Sequence, residues 1–217
     1  MKELGLRRYR LIIFDFDGTL ADSFTWLTGV LADVARRFGF RQLTPADIPL
    51  LRDMDTHAIP RFLGVPRWKY PLIARHLRRL SKDAPIHLFR GAGTLLKELA
   101  AQDYILVLIS SNSETTVRRI LGEELAGLIS HYGCSASLFG KAAKFRRAIE
   151  RFGIARDLVL CIGDETRDLE AGASLDLDVG AVTWGYASPA LLAEHHPRFL
   201  FQTMKDIPLA LDGAGAA

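Results

Sequence analysis

Four short apolar runs, rich in branched residues and each stopped by polar side chains, constrain this chain more than any other feature. Leu11-Ile12-Ile13-Phe14 ends in Asp15 and a turn containing Gly18; residues 104–109 end in Ser110-Ser111-Asn112; residues 158–162 end in Gly163-Asp164; and residues 179–184 form the fourth run. A weaker run covers 128–132. Short apolar stretches without alternation suit strands covered on both faces, as in a parallel sheet. Helical patterns fill the gaps, at 93–102, 114–122, 141–152 and 166–173. Strands alternating with helices predict an α/β fold built on a parallel sheet.

Residues 23–84 break that alternation and read as entirely helical. Trp26, Leu27, Val30, Leu31 and Val34 share one helical face, Thr44-Pro45 reads as an N-cap followed by proline, and Leu72, Ile73, His76, Leu77 and Leu80 mark a further helix. The spacing predicts two units: a discontinuous α/β core of residues 1–22 and 85–217, and a helical cap of residues 23–84. Because the cap leaves the chain just after the first strand, it should sit over the carboxyl ends of the strands. Its linkers, near Asp22 and Pro85, are the expected hinges. The Gly/Ala-rich tail, 211–217, is expected to fray.

Ligands of open parallel sheets bind outside the carboxyl ends of the strands. Those ends here carry Asp15-Phe16-Asp17-Gly18-Thr19-Leu20, then Ser110, then Asp164 and Asp168, with Phe139-Gly140-Lys141 opening a helix between them. Each piece has an ordinary explanation. A D-x-D-G can be only a turn, Asp164 and Asp168 can cap a helix, and Ser110 and Lys141 can be a cap and a solvated charge. None of these explains four carboxylates at one edge. Carboxylates brought together need a cation or raised pKa values, and an oxygen-only donor set favours a hard cation such as magnesium. A second D-x-D, Asp176 and Asp178, precedes a strand and lacks the Gly-Thr turn, which argues against a catalytic role.

Taken in order, Asp15-x-Asp17-Gly-Thr-Leu, Ser110, Lys141 and Gly163-Asp164-x-x-x-Asp168 resemble the four motifs of the haloacid dehalogenase superfamily of phosphohydrolases, and the resemblance spans nearly the whole chain. It implies a Rossmann-like core with an inserted cap, and a magnesium-dependent phosphatase working through an aspartyl-phosphate. Asp15 would be the nucleophile and Asp17 the general acid and base. Ser110 would grip the phosphoryl oxygens and Lys141 would neutralise charge, with Lys144, three residues on, as its alternative. Asp15, the backbone carbonyl of Asp17, Asp164 and Asp168 would hold Mg2+. An acid at position 17 favours phosphoryl transfer over dehalogenation. A Schiff-base lysine of the phosphonate-cleaving kind is disfavoured, since the cap lysines Lys69 and Lys82 fit no such pattern. The segments Ser111-Asn112-Ser113-Glu114 and Ala181 to Tyr186 resemble the phosphoglycolate phosphatase-like branch. A sugar phosphomutase shares all four motifs and stays open, as does a silent binding module, although Asp15 and Asp17 are both present.

The expected partner is a small phosphorylated metabolite, with 2-phosphoglycolate as the first candidate. The cap holds eleven Lys/Arg against five Asp/Glu, which suits an acidic leaving group, although Arg75, Arg78 and Arg79 read as solvated. Ser111 and Asn112 beside the second strand, and Arg52 and His57 in the cap, are the candidate substrate contacts. A net charge of +3 without a basic, aromatic-interleaved block argues against nucleic acid. No apolar run reaches the ~18 residues that span a membrane, and the basic start of the chain does not read as a signal peptide. Cys134, in a Gly/Ser-rich loop, and Cys161, in an apolar run, show no metal spacing, which predicts a reduced, cytoplasmic protein. Whether it is a monomer or a dimer is left open.

Overall fold

In a computed structural model of the protein, the described residues are 9–134 and 140–213. Phe139, part of the expected lysine motif, and the ends of the chain at 1–8 and 214–217 lie outside them. The elements run β1 (Leu11–Asp15), β2 (Ala21–Asp22), α1 (Phe24–Phe38), α2 (Asp47–Arg52), α3 (Ile59–Phe62), α4 (Tyr70–Ser81), β3 (His87–Leu88), α5 (Ala92–Ala101) and β4 (Ile105–Ser110). They continue with α6 (Glu114–Gly127), β5 (His131–Cys134), α7 (Gly140–Phe152), β6 (Val159–Gly163), α8 (Thr166–Ala173), β7 (Asp178–Val182), α9 (Pro189–Glu194), β8 (Phe199–Phe201) and α10 (Asp206–Gly213).

Six strands form one parallel sheet in the order β5-β4-β1-β6-β7-β8. The chain leaves β1 for β4 on one side and later returns to β6 on the other. The strand order therefore reverses at β1, where open α/β sheets place their ligand crevice. Register brings the three relevant ends level: Asp15 pairs with Ile109, and Phe14 with Ile162, so Ser110 and Gly163-Asp164 flank the end of β1.

The period-two alternation of a strand sorts the core into two layers. Ile12, Phe14, Leu106, Leu108, Leu160 and Ile162 pack with α5, α6 and α10. Leu11, Ile13, Val107, Ile109, Val159 and Cys161 pack with α7, α8 and α9. Asp15 follows Leu11 and Ile13 in that alternation and so faces the layer of α7 and α8. Cys161, within its apolar run, is a small buried core residue.

Several sequence expectations shift. The weak strand at 128–132 forms instead at His131–Cys134, so Cys134 ends a strand rather than lying in a loop. The run at 179–184 is a strand only to Val182. Thr44 is not an N-cap: α2 starts at Asp47 after Ala46, and the Thr44 backbone N–H and hydroxyl both donate to the Asp47 carboxylate at 2.8 Å, closing a turn before the helix. The 23–84 segment holds α1 to α4 and a short 3-10 turn at Arg67–Lys69. Its two linkers are not free: β2 and β3 pair antiparallel, Ala21 with Leu88 and Asp22 with His87. β8, α9 and α10 have no counterpart in the sequence reading, since each is short or weakly periodic. No helix among the described residues is long and apolar enough to cross a membrane.

Leu108 is fully buried at the centre of the sheet. Leu108→Ala should lower the unfolding free energy by about 3 kcal/mol, read from the shift in denaturation midpoint.

Candidate active site

After Asp15 the chain leaves strand geometry at once. The Leu20 and Ala21 N–H groups return to the Phe16 carbonyl at 3.0 and 2.9 Å, and Gly18 takes a φ of 81°. Glycine is needed there twice over. A positive φ suits it, and a Cβ at Gly18 would lie 2.1 Å from the Asp164 Oδ2. This turn carries Asp17 out of the sheet and away from Asp15.

Asp15, Asp164 and Asp168 are buried, and one carboxylate oxygen from each lies within 4.8 Å of the others. Two of the three are fixed from outside. Asp164 accepts from the Thr19 hydroxyl at 2.7 Å and the Tyr186 N–H at 2.8 Å. Asp168 closes a reciprocal capping box on α8 with Glu165, its Oδ2 accepting the Glu165 N–H at 3.2 Å. The capping explanation thus holds for Asp168, but the N-cap itself is Glu165 rather than Asp164, and capping leaves the other Asp168 oxygen to the cluster. Lys141, from the first turn of α7, reaches Asp15 Oδ1 at 3.0 Å and also pairs with Asp168. Lys144 instead donates to the Ser110 carbonyl at 2.8 Å.

The electrostatics follow from crowding. Burial, and then the charge of Asp15, hold Asp164 well above the ordinary carboxylate range. Asp168 rises to about 6 by burial, against the opposing pull of Lys141. Burial works against the charge on Lys141, but Asp15 and Asp168 outweigh it and hold its pKa up. The lysine therefore cancels one charge of three. Asp15 Oδ2 remains buried without a hydrogen-bond partner. An orphaned carboxylate oxygen facing two more carboxylates, with no sulfur or imidazole at hand, fits a hard oxygen-seeking divalent cation such as Mg2+.

Asp17 stands apart from that cluster. It accepts from the Ser110 hydroxyl at 3.1 Å and from the Asn112 side-chain amide at 2.9 Å on both oxygens. Asn112 is in turn held by the Ser81 hydroxyl of α4 at 2.9 Å. Burial, and then Asp15, push the Asp17 carboxyl up to about 6, the range in which one side chain can give and take a proton near neutrality.

Two cavities flank these groups. The first, about 400 Å³, is lined by Asp17, Asn112 and apolar side chains of α1, α2 and α4. The second, about 540 Å³, is lined by Ser110, Lys141, Lys144 and His57. Ser111 and Arg167 border both.

The inserted segment is docked on the sheet by polar contacts. Thr56 donates to Glu165 at 2.9 Å, Thr166 to Asp55 at 3.1 Å, and the Ser188 N–H to the Arg52 carbonyl at 2.7 Å. The Arg52 guanidinium donates to the Gly185 and Tyr186 carbonyls at 2.9 and 3.2 Å, so it borders the first cavity with those donors already engaged. His57 is exposed and lies 3.3 Å from Glu170, away from the first cavity. Lys82 is exposed and Lys69 donates to the Phe38 carbonyl; neither borders a cavity described here. Asp178 begins β7, at the opposite sheet edge from Asp15, and accepts from Tyr9 at 2.7 Å.

Four contributors escape the sequence reading: Thr19, Glu165, Arg167 and Tyr186. Thr19, Glu165 and Arg167 lie inside quoted motifs, and their position there was the available signal. Gly185 and Tyr186 gave only a resemblance, whereas the fold uses their segment as a buttress for Asp164.

A model of the haloacid dehalogenase-like hydrolase family matches residues 12–182. A phosphoglycolate phosphatase of Synechococcus elongatus is 32% identical over 199 residues, covering 90% of this chain and 94% of that protein. A tyrosine-protein kinase of Mycobacterium tuberculosis is 26% identical over 190 residues, covering 82% of this chain and 63% of that one. Among solved structures, a haloacid dehalogenase-like family hydrolase from Streptococcus pneumoniae aligns over 94% of this chain and 98% of its own, with a TM-score of 0.72 and 20% identity, a likeness of fold. The chain belongs to the haloacid dehalogenase-like hydrolase family, in its phosphoglycolate phosphatase-like branch.

A Cβ on Gly185 would meet the Asp164 Cβ at 2.2 Å. Gly185→Ala should therefore displace Asp164 and lower kcat/KM roughly a hundredfold while circular dichroism stays unchanged.

Proposed function

We propose that the chain is a magnesium-dependent phosphatase that hydrolyses a phosphate monoester through an aspartyl-phosphate on Asp15. The observation that carries this reading is the division of labour between two neighbouring carboxylates. Asp15 is buried beside Lys141 with one oxygen unshared, whereas Asp17 is hydrogen-bonded and raised to about 6 at the mouth of a separate cavity.

In this reading the substrate phosphoryl group lies on the side of Ser110, Lys141 and Arg167, and the leaving group on the side of Asp17. An Asp15 oxygen forms a bond to phosphorus as the bond to the leaving oxygen breaks. Asp17 gives its proton to that oxygen and becomes the base. It then takes a proton from the water that attacks phosphorus, and the acyl-phosphate bond breaks to restore Asp15. Lys141 holds Asp15 in place and offsets negative charge as it accumulates. Ser110 and Asn112 aim Asp17. Asp15, Asp164, Asp168 and the Asp17 carbonyl are the groups that would hold Mg2+. When bound, the ion would screen Asp15 from the phosphate and polarise the phosphoryl oxygens. Residues 23–84 act as a cap that closes over the ester, pivoting at the β2–β3 pair. The relative's name makes 2-phosphoglycolate the first ester to try. Water as the acceptor separates this reading from a phosphomutase, which would return an isomerised phosphate ester.

Phosphate release from a monoester panel should require Mg2+ and stop with EDTA. Asp15→Asn should lower it about a thousandfold or more, and Asp17→Asn by roughly a hundredfold to ten-thousandfold. Hydroxylamine-labile phosphate on the wild-type protein, absent from Asp15→Asn, would mark the intermediate. Release that persists in Asp15→Asn would sink the mechanism.

The raised carboxyls predict a stability effect with a definite sign. Without cation, Asp164 and Asp168 hold protons in the folded state that the unfolded chain releases at about pH 4. They therefore cost stability as pH rises from there, Asp168 through about 6 and Asp164 until its own raised pKa is passed. Saturating Mg2+ should raise Tm by roughly 5 °C, and by more at about pH 7.5 than at about pH 5. An equal shift at both values would contradict the assignment.

A further inference from the structure

The first cavity is cut into the inserted segment, between two helical stripes. From α1 it receives Phe24, Leu27, Thr28 and Leu31, and from α4 Ala74, Leu77, Arg78 and Ser81. Both sets follow the i, i+3, i+4, i+7 spacing of one helix face. Leu51 and Met54 add to the wall. These apolar side chains are only half-buried, so the protein keeps unshared apolar surface around this space. Asp17 borders this cavity and not the other, which places the proton donor, and so the departing alcohol, on the apolar side.

Size and charge then narrow the alcohol. Glycolate takes the room of two or three waters, each about 30 Å³, in a cavity of about 400 Å³. A leaving group of that size would leave the apolar wall wet, and its burial would yield little. Three arginines border the space. Arg52 is engaged with the Gly185 and Tyr186 carbonyls, and Arg167 pairs with Glu165 at 2.6 Å. Arg78 makes only a 3.3 Å bond from Nε to the Ala74 carbonyl and has no carboxylate partner among the described residues. Rather than lying in solvent as expected, Arg78 is the one of the three whose charge is left for a ligand.

We propose that the preferred substrate is the phosphate ester of an alcohol with a ring-sized apolar body and a carboxylate, the body lying between Leu27, Leu31 and Leu77 and the carboxylate meeting Arg78. This rests on the phosphatase reading above and replaces glycolate by a larger acidic alcohol. Filling the apolar wall supplies the selectivity, since each added apolar group in a fitted pocket is worth roughly tenfold or more.

The test compares kcat/KM, with Mg2+, for 4-carboxybenzyl phosphate, benzyl phosphate and 2-phosphoglycolate. Benzyl esters are chosen because their leaving groups are alkoxides rather than the much better phenolates. The expected order is 4-carboxybenzyl, then benzyl, then 2-phosphoglycolate, with steps of roughly tenfold. Leu27→Trp, which fills the cavity, should lower both benzyl esters roughly tenfold relative to 2-phosphoglycolate. Arg78→Gln should bring 4-carboxybenzyl phosphate down roughly tenfold, to the benzyl value. A preference for 2-phosphoglycolate, or a Leu27→Trp effect equal on all three with Tm preserved, overturns the leaving-group inference and leaves the phosphatase reading standing. No release from any ester overturns both.

Discussion

Three carboxylates occupy one buried volume at the end of β1, and the architecture around them reads as a set of answers to their repulsion. Lys141 enters between Asp15 and Asp168, Thr19 and the Tyr186 N–H satisfy Asp164, and the α8 capping box takes one oxygen of Asp168. The compensation stops short of neutrality. Like charges kept at this distance without full pairing raise one another's pKa, and the remaining deficit is what a divalent cation would supply. Gly18, Gly163 and Gly185 reflect the same crowding, because a Cβ at any of them would intrude on Asp164 or Asp168.

Asp17 escapes that volume through one turn of chain. Had the backbone stayed extended past Asp15, the two side chains would share a sheet face and compete for Lys141. The Gly18 turn instead hands Asp17 to Ser110 and Asn112, and Asn112 to Ser81 of α4. Asp17 is thereby tied, through Asn112, to the position of the inserted segment. In the proposed mechanism, a movement of α4 would shift Ser81, the partner of Asn112, and so would couple closure of the segment to the orientation of Asp17.

The sheet was legible because strands buried on both faces leave a strong mark, and the motif order placed Asp15, Ser110 and Asp164 at neighbouring strand ends, with Lys141 at the start of a helix between them. The helices 114–122, 141–152 and 166–173 were legible for a similar reason. Short elements were not. β2, β3 and β8 span two or three residues each, too few for a period to appear. Lys141 and Lys144 were indistinguishable in sequence, since residues three apart share a helix face. Only the packing of α7 against β4 and α8 sends one to Asp15 and the other to the Ser110 carbonyl.

The sequence by itself determined which chemistry-bearing residues exist and that they gather at one edge, because a parallel sheet puts every strand's carboxyl end on the same side. Tertiary structure decided how they divide. Period-two alternation and helix packing sent Asp15 toward Lys141 and Asp168. A positive-φ turn sent Asp17 to the cavity side. The docking of α1 and α4 opened an apolar space holding Arg78, while Arg52 was bonded to backbone carbonyls. Distances across the fold set those partnerships, and residues more than a hundred positions apart in the chain leave no local pattern from which to read them.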